Sequence, residues 1–545
     1  MKRLTFFLTA LIYLFGCSSD SDRIKGEIDE LEQQAQALRQ EREGLIDEND
    51  SLKRDNDLIR NKIDSLELAL DKCYLKSMKF LLADNPMQLT CDVTCDIIGD
   101  SVVECWIPNV TSDKMLTPCF EFEGTDVAIN GQKTDSRINT FNFTPPQTLL
   151  VTSRLKSKSY TVYVHSFTGL PILWIDTNDR ESLSYDNNYR HGKLKLIEDG
   201  TTFHTNGTLE ENIEVRHEGD FETYVPMFDG KAHTGKNAYS FIFNKEVALM
   251  GEPANRNWEL LPNNDEATML RTSTMFYLGS ISTLSYTPCY HYVELFLNGR
   301  YNGTYMISDK VEAGTGRIDV GSNGFILNVG PTTSSSSFRT NRIDQPINII
   351  EPRISRGDDN YTYISDFVTT AEKALFGEDF TNEDSGWQKY IDMDSFVDWY
   401  IINEIVMSKE AAFRSDCYLS LIQGGKLKIG PLCRRTGILG SNPNTPTGLV
   451  MQSSAWYNRL LQDPAFTTKV KERYTYFYQA KPQILQAIDN NAQYLMRSAV
   501  ENSNRWSIFK TVSFDATKIQ YQQEVKKMED WLDTRMDWLY RELNK

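Results

Sequence analysis

Ile24, Leu31, Leu38, Leu45, Leu52, Ile59, Leu66 and Cys73 stand seven positions apart. Ile28, Ala35, Arg42, Asn49, Asn56, Ile63 and Leu70 fill the second seam position between them, and no proline interrupts the run. A strict heptad buries its apolar stripe by winding on another helix, so residues 23–76 are expected to form a parallel coiled coil. Leucines at d with Asn49 and Asn56 at a favour two chains in register, at a cost in stability. A single amphipathic helix packed on its own globular body is the alternative. At the α-helical rise such a stalk is roughly 80 Å long.

The residues before the repeat explain what a stalk could stand on. Lys2 and Arg3 precede an apolar stretch from Leu4 to Phe15, too short to cross a bilayer and suited to a secretory signal over residues 1–16. Leu14-Phe15-Gly16-Cys17 resembles the bacterial lipobox, which implies that Cys17 is lipidated and becomes the mature N-terminus. Residues 17–22 then form a solvated tether, and its acidic character resembles the surface-export signals of some Gram-negative lipoproteins. Lipid chains on Cys17 would hold the protein to a membrane without spanning it. The implied address is the bacterial outer membrane, lipid-anchored, on the periplasmic or the cell-surface side.

Composition narrows the rest. The 58 Lys and Arg against 75 Asp and Glu leave a formal charge of −17, which argues against a nucleic-acid partner because no basic excess exists to neutralise phosphates. A mean hydropathy of −0.45 excludes a polytopic membrane protein. The 545 residues are enough for roughly three to five structural units.

From Met78 the chain turns to short alternating segments. Gln88 to Asp96, Ser101 to Ile107 and Ser159 to Phe167 read as strands and Asn130-Gly131 as a hairpin turn, so residues 78–167 are expected to form a small β-sandwich module. Cys91, Cys95, Cys105 and Cys119 lie within it, and export would permit up to two disulfides in any of three pairings. Their spacings lack a paired CxxC and no His lies among them, which disfavours zinc.

The remainder, 168–545, opens with an apolar strand from Leu170 to Ile175 and stays β-rich to about Val329. It then carries helical spacing over Tyr363–Leu375, Ser395–Met407, Pro464–Ala487 and Gln520–Leu543. Strands first and helices later indicate α+β, a β lobe and an α lobe with a cleft between them as the natural ligand site.

Ordered landmarks in this region resemble the CotH (spore coat protein H) kinase-like family. They include Leu249-Met250-Gly251-Glu252-Pro253-Ala254, Trp258-Glu259-Leu260-Leu261, Val293-Glu294-Leu295-Phe296-Leu297-Asn298-Gly299, Asp309-Lys310, Asn403-Glu404 and Lys426 to Leu432. The resemblance implies an atypical protein-kinase-like domain over 168–545. The fold class is then multidomain: an N-terminal coiled-coil helix, a small β-sandwich module and an α+β two-lobed kinase-like domain.

The family's chemistry, phosphoryl transfer from ATP, needs a phosphate cradle, a metal and a positioned acceptor. Where the family has a glycine-rich turn, this chain reads Arg216-His217-Glu218-Gly219-Asp220-Phe221-Glu222, retaining Gly219 among three acids. Lys236 and Tyr239 stand where the family has its Lys-Lys-x-Tyr run, and Lys236 is the nucleotide-binding candidate, or else a solvated strand residue. After Gly430-Pro431-Leu432 the family carries Trp-Asp-aromatic-Asp, which holds Mg²⁺. Here Cys433-Arg434-Arg435-Thr436 puts Arg434 and Thr436 in place of the acids. The family's other key aspartate is matched by Glu410, the catalytic candidate, whose arm is one methylene longer. Arg434 and Arg435 are a candidate anion site, since guanidinium forks fit phosphate or carboxylate.

These losses lead to the expectation of a pseudokinase acting as a binding or scaffold protein for a glycan or protein partner, dimeric through its stalk and without a cofactor. The alternative is a divergent secreted kinase using Lys236, Glu410, ATP and Mg²⁺. His165, His191, His204, His217, His233 and His291 read as scattered, without metal spacing to one another or to Cys, so no metal site is expected. GxSxG, HExxH and Walker patterns are absent from the sequence. Thr332 to Ser337 and Ser441 to Thr447 read as flexible loops, the latter closing the altered metal segment.

Overall fold

The computed structural model describes residues 18–89, 92–107, 114–166, 170–181, 183, 188–197, 208–218, 225–226, 232–233, 236–263, 266–330, 335–441, 445–509, 511 and 513–545. The expected signal peptide, Cys17, Cys91 and Gly219 lie outside the described residues, as do Asp220 and Glu222. Two compact units divide the chain.

The first unit is Met1–Lys76 with Phe122–Ala128 and Leu150–Lys158. Its helix α1 spans Ser18–Leu70. The d-position side chains are exposed on this chain, Leu31 and Leu38 by 64% and Leu66 by 61%. The helix was expected to run to Lys76 and stops at Leu70. Asp71 accepts hydrogen bonds from Ser153 Oγ (2.6 Å) and Leu155 N (3.0 Å), and Arg154 Nη2 reaches Glu67 at 2.7 Å. Tyr74–Phe80 then extends as a strand that buries Leu75, Met78 and Phe80.

The second unit is Ser77–Glu121, Ile129–Leu149 and Ser159–Lys545. Its first part contains short strands, among them Asp96–Ile98 antiparallel to Val102–Ile107, and the latter parallel to Ser157–Ser166. Gln88 and Leu89 sit in a turn instead of the expected strand. Asn130 and Gly131 both have positive φ (48° and 80°), the geometry a tight primed hairpin turn requires. The disulfide expectation is not met among the described residues: Cys95, Cys105 and Cys119 are free thiols. Thr94 N bonds Gly299 O at 2.9 Å and Arg300 Nε reaches Asp96 at 3.0 Å, so these strands dock on the barrel described next.

Strands β1 (Ile172–Thr177), β2 (Arg190–Ile197), β3 (Thr208–Glu218), β4 (Ala238–Val247), β5 (Asn255–Leu261), β6 (Tyr290–Leu297) and β7 (Arg300–Asp309) close into a barrel in the order β1-β2-β3-β4-β5-β7-β6. The β1–β6 pair is parallel and the other pairs are antiparallel. Period-2 alternation fills the inside: Val215, Phe241, Trp258, Leu260 and Ile307 are fully buried in one apolar cluster.

A second antiparallel sheet follows, of β8 (Phe325–Val329), β9 (Ser337–Arg339), β10 (Pro346–Glu351), β11 (Cys417–Leu421) and β12 (Lys428–Ile429), in the order β9-β10-β8-β11-β12. The helices are α2 (Arg271–Ser280), α3 (Asp359–Leu375), α4 (Met393–Val406), α5 (Ala455–Leu460), α6 (Pro464–Gln479), α7 (Lys481–Trp506) and α8 (Phe514–Leu543). Every residue of α4 from Ser395 on is buried, so it runs through the core with Asp392 capping its start and left-handed Met407 ending it. The expected single helix over 464–487 is two helices. Pro482 has no N–H to continue α6, and it sits instead in the first turn of α7, where that donor is not needed. α7 packs on β7 at Gly303, whose φ of +95° and closeness to Asn502 and Trp506 leave no room for a Cβ.

Candidate functional site

Barrel register lines up one polar row. Arg216 pairs with Ser240, Ser240 with Glu259, and Glu259 with Ser308, across β3, β4, β5 and β7. Their strand neighbours Val215, Phe241, Trp258 and Leu260 fill the barrel, so alternation sends this row to the outer face.

Two groups at one end of the row neutralise each other. Arg216 holds Glu218 with both prongs, Nε–Oε2 at 3.0 Å and Nη2–Oε1 at 3.1 Å. Ser240 Oγ donates to Glu218 Oε2 at 2.7 Å, and Lys310 Nζ stands 4.0 Å from Oε1. Burial would raise the Glu218 pKa, but these hydrogen bonds and charges hold it below the ordinary value. Glu218, one of the three acids of this turn and the one among the described residues, is therefore a compensated carboxylate.

Glu259 is different. It keeps partial solvent access, and among the described residues its carboxylate takes part in no hydrogen bond. Surrounding protein pushes its pKa up to about 7, with Lys310 opposing that rise and Glu218 adding to it. Burial raises the Tyr418 hydroxyl of β11 and the Cys433 thiol just beyond β12, and the charge of Glu259 adds to both rises. A carboxyl poised near neutrality can donate or accept a hydrogen bond to a ligand, and that makes this face the candidate binding surface. Glu259 stood inside a sequence landmark without being singled out. Its position between Trp258 and Leu260 in an alternating strand was the available signal.

The expected site residues occupy other settings. Lys236 is buried, with Nζ donating to Thr304 O and, at 3.1 Å, to Asn502 Oδ1, over the Tyr305 ring. Burial lowers its pKa to about 7, against the pull of Glu294. Glu410 is exposed in the turns after α4. Arg435 is buried and donates to the Ser415 and Asp416 carbonyls at 2.9 and 2.6 Å, while Arg434 is half-buried and Thr436 exposed. The Arg434 guanidinium is cationic and offers Mg²⁺ no lone pair, and Thr436 brings a neutral hydroxyl where the family has a carboxylate, so neither acid of the metal site is replaced in charge. His217 is buried, edge-on to Tyr239. One further constellation was not expected: Glu252, Cys289 and His291 converge, although the sequence reading found no His at a metal spacing to Cys. Among the described residues no helix is long and apolar enough to cross a membrane.

Comparison with known proteins adds a family. No curated protein matches the chain. A solved structure described as a putative glycoside hydrolase from Bacteroides thetaiotaomicron is similar over 53% of this chain and 76% of its own, at 14% identity and a TM-score of 0.15, which carries no argument. Residues 227–539 match the family described as CotH kinase protein. Strands β1 to β3 precede that range yet close the same barrel, so the fold unit begins before the match. The match covers more than half of the chain, and the chain belongs to the CotH kinase protein family.

Proposed function

We propose that this protein is an exported lipoprotein, anchored through Cys17 to the bacterial outer membrane, whose CotH-family domain is a pseudokinase that binds a partner and does not transfer phosphate. The observation that carries this reading is at Cys433–Thr436. Where the family has metal-binding acids, Arg434 and Thr436 stand, and the neighbouring Arg435 spends its donors on the Ser415 and Asp416 carbonyls. Lys236 adds support, because its ammonium is buried against Thr304 O and Asn502 and so leaves the divergent-kinase alternative short of a phosphate ligand. The ligand surface in this reading is the face around Glu259, with a glycan or protein as partner. The stalk pairs α1 with a second copy.

A thermal-shift titration of the full-length protein with ATP and Mg²⁺ tests it. The expected result is no saturable stabilisation. Stabilisation saturating at micromolar nucleotide, with label passing from ATP to a protein acceptor, sinks it.

A further inference from the structure

Away from the Glu259 face, three side chains of three different chemistries meet beside the start of β6. Glu252 lies in the turn between β4 and β5, Cys289 directly precedes β6, and His291 is its second residue. A carboxylate oxygen, the thiol sulfur and an imidazole nitrogen all lie within 4.8 Å of one another. His291 Nε2 is 2.8 Å from Glu252 Oε1, and all three residues are half-buried, reachable from solvent but not loose in it.

The local sequence accounts for the convergence. Residues two apart in extended chain project to one side, which pairs Cys289 with His291. Met250 and Gly251, both left-handed at φ 54° and 83°, turn the chain sharply, and Glu252 N bonds back to Leu249 O at 3.0 Å. That turn presents Glu252 to the same spot. The backbone of Cys289 is pinned in turn, because its N–H donates to Asp309 Oδ2 at 2.9 Å. Asp309 also accepts from Tyr286 and is paired with Arg317, so its own charge is spent on this framework. Such outer partners orient metal ligands.

We propose that Glu252, Cys289 and His291 bind a divalent transition-metal ion of the zinc class, with a water molecule in the fourth position. Sulfur, imidazole nitrogen and carboxylate together suit a borderline-soft ion, whereas Mg²⁺ and Ca²⁺ want oxygen alone. Ligand atoms about 2.0–2.3 Å from one ion lie within 4.8 Å of each other, so small side-chain rotations complete the set. On binding, the Cys289 S–H bond breaks, its electron pair becomes the S–metal bond, and the proton leaves to solvent. The proton shared in the His291–Glu252 hydrogen bond leaves as well, to solvent or to the other ring nitrogen, which frees an imidazole lone pair and the carboxylate to bind the ion.

Cobalt(II) titration of the reduced full-length protein tests the assignment. The expected result is a saturable thiolate-to-cobalt absorption band, displaced by Zn²⁺, that is lost in Cys289→Ser and weakened in His291→Ala. No band, or a band unchanged in Cys289→Ser, overturns the proposal. A second measurement needs no variant: Zn²⁺ should slow alkylation of Cys289 in the wild-type protein by at least severalfold, mapped by mass spectrometry against Cys433. An alkylation rate at Cys289 indifferent to Zn²⁺ also overturns it.

Discussion

Arg535 Nη2 lies 2.9 Å from Glu404 Oε2, with both side chains shut off from solvent. The pair joins α8 to α4, and it is saturated with hydrogen bonds: Glu404 also accepts from Val450 N and Met451 N, while Arg535 donates to the carbonyls of Glu404 and Gly448. Breaking such a pair leaves one charge buried alone. Arg535→Met should therefore cost about 3–5 kcal/mol in urea unfolding, and Arg535→Met with Glu404→Leu should regain only part of it, because Val450 N and Met451 N then lose their acceptor. A single variant within about 1 kcal/mol of wild type would contradict the buried-pair account.

Glu404 also shows what the sequence made legible. Asn403-Glu404 was readable as a landmark of the family, but its work is to hold α4, α8 and the 448–451 turn together, which only the packing reveals. The heptad named α1 without help, because its constraint is local and periodic. The helix break at Lys481-Pro482 was equally local and was overlooked within a continuous apolar pattern. Arg435 looked like an anion ligand since nothing in its own neighbourhood shows that two carbonyls, twenty and nineteen residues earlier, claim its donors. Cys289 and His291 stand two apart and so share a side of extended chain, a signal that the reading of the histidines as scattered passes over, and Glu252 is too far away in the chain to give one.

Glu259 sets a pH dependence. A carboxyl whose pKa rises on folding to about 7 keeps a proton that the unfolded chain has already released above its ordinary value of 4.5. Stability from this group is thus lost as pH climbs through about 7, and it is intact below about 4.5. Glutamine mimics the protonated form. Glu259→Gln should match the wild-type melting temperature near about pH 5 and exceed it near about pH 8. Parallel melting curves at both values would exclude the shifted carboxyl.

Arg435 gives a test between a framework role and an anion site. Arg435→Met leaves the Ser415 and Asp416 carbonyls without their donor, at about 1–3 kcal/mol for each buried group left unsatisfied. The expected outcome is a lower unfolding midpoint that inorganic phosphate does not change in either protein. Phosphate stabilising wild type and not the variant would restore the anion reading.

Gly303 separates packing from chemistry. Alanine there meets a φ of +95° and places its Cβ against Asn502 and Trp506, which already bond to Thr304 N and Asn302 O. Backbone strain of roughly 1–3 kcal/mol adds to the collision, so Gly303→Ala should melt well below wild type. Asn502→Gly should recover part of that loss by clearing space, at the cost of its hydrogen bonds to Thr304 and Lys236.

The stalk makes the last prediction. Along α1, Leu38 is exposed by 64% and Leu45 by 58%, as are the other apolar d residues to similar degrees. Fully burying a leucine side chain is worth about 1.5–3 kcal/mol, so a run of d residues paired with those of a second copy outweighs the cost of Asn49 and Asn56 in the seam. Light scattering on the full-length protein should give a dimer. Leu38→Asp with Leu45→Asp should give a monomer with unchanged barrel melting, because both side chains are largely exposed on a single chain and their loss removes little buried surface within it. A wild-type monomer, or a double variant that stays dimeric, would remove the coiled coil as the basis of assembly.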